Sequence, residues 1–367
     1  MQRRRFLRSA AVGGGAVVAS GTLVAPAIAQ SMPELKWRLT SSFPKSLDTL
    51  FGGAESFAKK LAVLTDNKFQ VRVFAPGEIV PALQALDAVQ NNTVEMCHTA
   101  SYYFVGKDLT FGFDAGVPFG LTARQQNAWM LQGGGLQLMR EFMTDYNAVP
   151  LPAGNTGVQM GGWFRKEIKT LDDLKGLKMR IPGIGGQVWA KLGAVPQQIA
   201  GGEIYPALER GAIDGAEWVG PYDDEKLGFY KVAPFYYYPG FWEAGTQISL
   251  LIGKQHWDAL PPAYKVAVET CAADVNVDML ARYDTLNPQA LRRLVAAGAQ
   301  LRPYPREVLA AAWKATHELY DEFAGKNAKF KKVYDHWKAF RDEQYLWFRV
   351  AELTYENFAF TAGQTVR

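Results

Sequence analysis

Leu35-Lys36-Trp37-Arg38-Leu39-Thr40-Ser41-Ser42-Phe43-Pro44 opens the stretch whose reading decides the fold. Leu35, Trp37 and Leu39 alternate with polar residues, the period-two pattern of a strand, and Ser41-Ser42-Phe43-Pro44 ends it. Phe51, Ala54, Phe57, Ala58, Leu61 and Leu64 then recur at helical spacing and mark one face of a helix. Residues 71–74 read as a second strand, 82–90 as a second helix and 94–98 as a short buried strand. This βαβαβ order predicts a largely parallel sheet covered by helices.

The same rhythm restarts downstream. A helix is expected over 122–146, then strands at 149–151, near the glycine-rich 157–164, and at 177–181, 195–198 and 215–218, with helices between. Two α/β units in one chain make a cleft between lobes, and open α/β sheets bind ligands beyond the carboxyl ends of their strands. A helical pattern over 261–297 contains Pro288 and is long enough to reach across both units. The aromatic-rich stretch 334–360, with Trp337, Phe340, Tyr345, Trp347 and Phe348, reads as helices whose apolar faces cover either this subunit or a second one.

With 367 residues, 48% hydrophobic and 21% charged, the chain is globular, which excludes a disordered tail or a fibre. Lys and Arg exceed Asp and Glu by 40 to 36, and Arg3, Arg4, Arg5 and Arg8 account for the whole excess. The remainder is neutral and lacks the basic footprint that nucleic acid or an anionic membrane requires. Those arginines head a leader: an apolar stretch over 10–24 follows, then Ala27-Ile28-Ala29 in an A-x-A arrangement. The sequence predicts a twin-arginine-like signal peptide over 1–29, export to the periplasm, and no later apolar run long enough to span a membrane. Cys97 and Cys271 are expected as two buried thiols or one bridge.

Phosphate-loop, G-x-S-x-G, H-E-x-x-H and C-x-x-C motifs are missing, and His98, His256, His317 and His336 are scattered. Pro182-Gly183-Ile184-Gly185-Gly186 lacks the third glycine of a dinucleotide loop. Three clusters fall near predicted strand ends. Arg180 precedes a Pro-Gly break that would aim its guanidinium into the cleft, where paired donors suit a carboxylate. Glu217 stands beside Trp218, and Glu243 among Tyr236-Tyr237-Tyr238-Pro239-Gly240-Phe241-Trp242. Each acid alone suits a plain salt bridge; together they propose two carboxylates facing an arginine across an aromatic-lined gap.

Several of these segments resemble the extracytoplasmic solute receptors of tripartite ATP-independent periplasmic (TRAP) transporters, and most closely the α-keto acid-binding branch. They are Ser41-Ser42-Phe43-Pro44-Lys45, residues 154–163, 177–180 and 201–208, and Glu217-Trp218-Val219-Gly220-Pro221-Tyr222-Asp223-Asp224. The resemblance implies an α/β, two-lobed periplasmic binding protein-like fold with a long spanning helix. Lobe I would take 30–152 with a return over about 240–285. Lobe II would take 153–239 with a return over about 286–330, and 331–367 would form C-terminal helices able to pair two subunits. It implies no catalysis; Arg180 would hold the ligand carboxylate, and Phe43, Tyr103 (or Tyr102, one register away), Asn155 and Gln159 would line the pocket.

A cation would bridge protein and ligand through the Gln159 side-chain oxygen, the Glu217 and Glu243 carboxylates and the Trp218 backbone carbonyl. Micromolar binding needs about −8 kcal/mol, and two charge-assisted bonds from Arg180 contribute roughly 3–6 before entropy is charged, so arginine alone falls short. An all-oxygen set selects a hard ion. Formal charge favours Ca2+ and the resemblance favours Na+, to which slightly more weight is given. The expected solute is a small 2-oxo monocarboxylate such as pyruvate, delivered to TRAP membrane subunits, with no nucleic acid and a possible homodimer. A 2-hydroxy acid such as lactate, or an exported metal-dependent lyase or hydrolase, stands as the alternative.

Overall fold

The computed structural model describes residues 32–365, so the leader expected over 1–29 lies outside the described residues. Its strands are β1 (Leu35–Ser41), β2 (Phe69–Phe74), β3 (Met96–Thr99), β4 (Ala148–Asn155), β5 (Trp163–Phe164), β6 (Lys178–Arg180), β7 (Val195–Gln197), β8 (Gly215–Ala216), β9 (Phe235–Tyr238), β10 (Gln247–Gly253) and β11 (Gln300–Pro303). The opening stretch folds as read. β1 pairs in parallel with β2, Leu35 opposite Phe69, and with β3, Leu39 opposite Met96. The helix Leu50–Leu64 buries Phe51, Ala54, Phe57, Ala58 and Leu61, whereas Leu64 is exposed because the helix ends there.

Neither sheet is purely parallel. The first has the order β2-β1-β3-β10-β4, and β10 runs antiparallel to both β3 and β4. All seven residues of β10 are buried, so it shows no alternation to read. The second sheet has the order β11-β9-β5-β8-β6-β7: β6 is parallel to β7 and β8, while β5 is antiparallel to β8 and β9. Antiparallel insertion needs no crossover helix, which is why the expectation of a largely parallel fold fails at these strands.

Two further expectations change. The helix foreseen over 122–146 is two helices, Ala123–Leu131 and Gly135–Thr144, broken where Gly134 takes φ +85° and where a Cβ on Gly135 would meet the Trp129 ring at 2.5 Å. The glycine-rich strand near 157–164 shrinks to Trp163–Phe164, because Gly157 and Gly162 adopt positive φ and turn the chain into a loop.

The helix Pro262–Ala296 runs 35 residues, about 50 Å at 1.5 Å per residue, with Pro288 inside it. It packs against β4, the helix Leu50–Leu64 and the helix Pro221–Leu227, so it bridges elements of both sheets. Cys97 and Cys271 are free and buried, and burial raises both thiols, Cys271 to about 11. In the helix Ala328–Val350, Phe330, Tyr334 and Trp337 pack on Phe113 and Tyr320. Beyond them Leu346, Trp347, Val350, Tyr355, Phe358 and Phe360 are exposed. Among the described residues no helix is long and apolar enough to cross a membrane.

Candidate functional site

Arg180 ends β6, opposite Gln197 of β7 and Ala216 of β8, before Pro182 and Gly183 (φ +69°) turn the chain into the helix Gly183–Lys191. Because β8 runs alongside, the Glu217 backbone N–H donates to the Arg180 carbonyl at 3.2 Å and the acid lands beside the arginine. Both side chains are fully buried. Arg180 Nε donates to the Ile199 carbonyl at 3.0 Å, and Nη1 donates to the Glu217 carbonyl at 2.9 Å and to Glu217 Oε1. The guanidinium lies 5.0 Å from the Trp218 ring centroid, within cation–π range. The free two-nitrogen fork expected from the sequence is therefore not what the fold presents. Nε and Nη1 are committed to protein acceptors, and only Nη2 is buried without a partner.

Gln159 lies in the loop between β4 and β5, pinned on both sides: its N–H donates to the Glu243 carbonyl at 3.1 Å and its own carbonyl accepts from Gly240 N–H at 3.1 Å. A Cβ on Gly240 would stand 2.6 Å from the Met160 carbonyl, so the close approach requires glycine. The Gln159 amide donates to Thr156 Oγ1 and Thr246 Oγ1 at 3.1 and 3.0 Å, leaving Oε1 without a partner. Thr246 Oγ1 donates to Glu243 Oε2 at 2.6 Å, and the Tyr102 hydroxyl approaches the same oxygen at 3.4 Å.

A narrow pocket whose free cavity volume is about 10 Å³, room for about one water molecule, is walled by Phe43, Tyr102, Tyr103, Gln159, Arg180 and Trp218, with Leu50, Thr156, Val219 and Ile248 completing it. Both Tyr102 and Tyr103 line it. Phe43 packs its ring at 6.5 Å from both Tyr103 and Trp218. Asn155 is buried at the end of β4 but is not part of this wall; its Oδ1 accepts from Gly157 N–H at 2.9 Å and its Nδ2 has no partner. Sequence reasoning missed Thr246 and the wall residues Leu50, Thr156, Val219 and Ile248. Thr246 leads into β10, whose buried run carries no pattern, and Leu50 and Ile248 look like ordinary core residues.

Neither Glu217 nor Glu243 is part of the pocket wall, and charge around the pocket is unbalanced. Burial pushes the Glu217 carboxyl well above its ordinary range, more than Arg180 draws it down, with Glu243 adding to the rise. Burial likewise carries Glu243 up to about 7 against the lowering effect of Thr246. Burial is the largest single influence on Arg180 and opposes its charge, yet Glu217, Tyr103, Tyr102 and Glu243 together outweigh it and raise the guanidinium. Two carboxylates thus share one permanent cation in a low-dielectric site, an arrangement that favours uptake of positive charge. Among the described residues no group of three His, Cys, Asp or Glu is placed to hold a metal. The available set is two carboxylates and an amide oxygen; Gln159 Oε1 accepts no hydrogen bond, and Glu217 Oε2 accepts none of good geometry, although the Trp242 indole N–H draws the Glu217 carboxyl down. Hard-cation chemistry fits these residues; zinc or copper chemistry does not.

The model of bacterial extracellular solute-binding protein, family 7, matches residues 40–327. The chain belongs to this family. The receptor is 51% identical over 361 residues, 98% of its own length and 99% of its relative's, to a monocarboxylate 2-oxoacid-binding periplasmic protein of Nostoc sp.. A TRAP solute-binding protein of Bordetella bronchiseptica, crystallised as a mixed-occupancy dimer with copurified calcium and picolinate, shares 52% identity at a TM-score of 0.90, covering 91% of this receptor and 100% of that chain. A TRAP receptor of Pseudoalteromonas atlantica with bound sodium and pyruvate shares 37% identity at a TM-score of 0.86, covering 88% and 99%. Family members of this kind are solute-binding receptors and not enzymes, which sets aside the lyase or hydrolase considered from the sequence.

Proposed function

We propose that this TRAP receptor captures a small 2-oxo monocarboxylate of the pyruvate type, with Arg180 and a hard cation engaging the same anion. The observation that carries the reading is the set of orphaned buried atoms in and beside one pocket: a donor, Arg180 Nη2, and two acceptors, Gln159 Oε1 and Glu217 Oε2. Unpaired buried polar atoms are costly, and an anion with a cation would satisfy both kinds together. Gln159, Glu217, Glu243 and the Trp218 carbonyl would hold the ion, whose chemistry is to neutralise and fix adjacent ligand oxygens. Arg180 Nη2 would take a carboxylate oxygen, while Phe43, Tyr102, Tyr103 and Trp218 exclude water, with Asn155 behind the wall.

The relatives support this reading in kind. Pyruvate offers a carboxylate oxygen and a keto oxygen in one plane, and picolinate offers a carboxylate oxygen and a ring nitrogen in the same arrangement. From the sequence sodium carries slightly more weight; a relative with calcium at 52% identity against one with sodium at 37% shifts the proposal to calcium. Once an ion draws the protons off Glu217 and Glu243, these and a bound monocarboxylate against Arg180 leave two negative charges, which Ca2+ closes and Na+ halves. Sodium is the competitor. The two sheets would be the two lobes, 30–152 with about 240–285 and 153–239 with about 286–330. The protein would work in the periplasm with TRAP membrane subunits, and the exposed apolar side chains after Trp337 would pair two subunits.

Native mass spectrometry of protein purified without added ligand tests this. One organic acid and one calcium per chain, in a dimer, is the expected result. Metal-free protein that takes up neither pyruvate nor lactate when calcium is supplied contradicts it.

A further inference from the structure

Asp223 is a fully buried carboxylate that the binding reading leaves unused, and it is met by donors from three different elements. Thr49, immediately before the helix Leu50–Leu64 that packs on β2, has its hydroxyl 3.0 Å from Asp223 Oδ1 and 2.9 Å from the Tyr283 hydroxyl, and its one proton is shared between these two acceptors. Tyr283, on the long helix Pro262–Ala296, donates to Oδ2 at 2.8 Å. The Trp218 indole N–H points at Oδ2 from 3.3 Å. Asp223 itself belongs to the helix Pro221–Leu227, which follows β8 of the second sheet.

The helices Leu50–Leu64, Pro221–Leu227 and Pro262–Ala296 meet again nearby at the surface. Asp48 pairs with Lys226 and, at 3.1 Å, with Arg282, and it accepts from the Tyr222 hydroxyl at 3.1 Å. Thr49–Asp223–Tyr283 is thus the buried half of a junction whose exposed half is Asp48–Lys226–Arg282. Only the buried half reaches the pocket, because Trp218 is also the ring beneath Arg180. On its far edge Trp218 abuts Gly201, where a Cβ would stand 2.5 Å from the ring. Asp223 therefore holds the indole by its N–H edge, while Gly201 meets the six-membered ring.

We propose that Asp223 is a positioning residue for ligand binding: with Tyr283 it holds Trp218 under Arg180, and its bond from Thr49 is the catch that keeps the first sheet's layer against the second over the bound anion. The inference rests on the 2-oxo acid reading for its ligand, but not for its geometry. Releasing a catch lets the ligand escape sooner without changing how it arrives, so the effect falls on dissociation.

The test compares wild type with Thr49→Val, which keeps the shape and removes the hydroxyl, and Thr49→Ser, which keeps the hydroxyl and removes a methyl. Stopped-flow kinetics with pyruvate and calcium is read beside hydrogen exchange of residues 217–223 in ligand-free protein. A hydrogen bond to an ionised group is worth roughly tenfold in rate. Thr49→Val is expected to dissociate about tenfold faster with association changed less than twofold, and to exchange faster over 217–223. Thr49→Ser should stay within about twofold of wild type. If Thr49→Ser is as impaired as Thr49→Val, or if Thr49→Val matches wild type, the catch is refuted, and pyruvate binding by wild type keeps the ligand reading intact. Should wild type not bind pyruvate, the ligand reading fails, and the exchange of 217–223 alone decides for or against the catch.

Discussion

Replacing Arg180 with methionine removes the one permanent positive charge of the pocket while keeping most of its bulk. In the structure Nη2 carries the guanidinium's two unused N–H groups, so those are what a bound carboxylate can gain. Each charge-assisted bond is worth about 1.5–3 kcal/mol, which makes the loss about 3–6 kcal/mol, or roughly 10²- to 10⁴-fold in affinity. The fold also loses three bonds, from Nε to Ile199 and from Nη1 to Glu217. An uncompensated buried carboxylate typically costs about 3–5 kcal/mol. Here Glu217 can take up a proton instead, because burial has already pushed its carboxyl upward, and the variant should fold with a lowered melting temperature. Arg180→Lys keeps the charge but cannot reach Ile199, Glu217 and a ligand from one nitrogen, so at least a tenfold loss is expected. Isothermal titration with pyruvate and calcium, beside a melting curve for each variant, reads both effects. Binding by Arg180→Met within threefold of wild type, in a folded protein, would refute the reasoning.

Two further outcomes follow from buried acids. Glu243→Gln keeps the bonds from Thr246 and Tyr102 in reach but removes one negative charge, so calcium-dependent pyruvate binding should weaken by on the order of 10- to 100-fold; calorimetry showing an unchanged calcium requirement would remove Glu243 from the ion's ligand set. Asp114 is buried, accepts from Ser101, from Ser249 at 2.7 Å and from the Gln247 amide at 3.3 Å, and burial lifts it to about 6. The folded state keeps its proton to about pH 6, whereas the unfolded chain releases it near 3.9, so the stabilisation is full below about pH 4 and is lost as pH rises through 6. In urea unfolding at pH 4 and pH 8, Asp114→Asn should therefore gain about 2–3 kcal/mol on wild type between the two, helped by Gln247 Oε1, which has no partner now. A difference independent of pH would contradict this.

What the sequence yielded follows from what each segment buries. β1, the helix Leu50–Leu64 and β2 have faces that differ in burial, and their periods are readable. β10 is buried throughout and β5 and β8 are two residues long, so no period exists to be seen, and the antiparallel insertions they create were invisible. In the site, Arg180, Glu217 and Glu243 stood out because charges beside apolar strand ends are anomalous. Thr246 did not, since a threonine before an apolar run is unremarkable until Gln159 and Glu243 are seen to share it. The commitment of Arg180 Nε to Ile199 depends on how the chain leaves β7, which no local pattern encodes.

Calorimetry of pyruvate binding to protein stripped of metal, in sodium-free buffer, before and after calcium is restored, meets the central claim head-on. The shared-anion arrangement predicts at least a hundredfold weaker binding in the stripped protein and full recovery with one calcium per chain. Equal affinity with and without the ion would show that Arg180 and the pocket walls bind the acid unaided, and the account would be wrong.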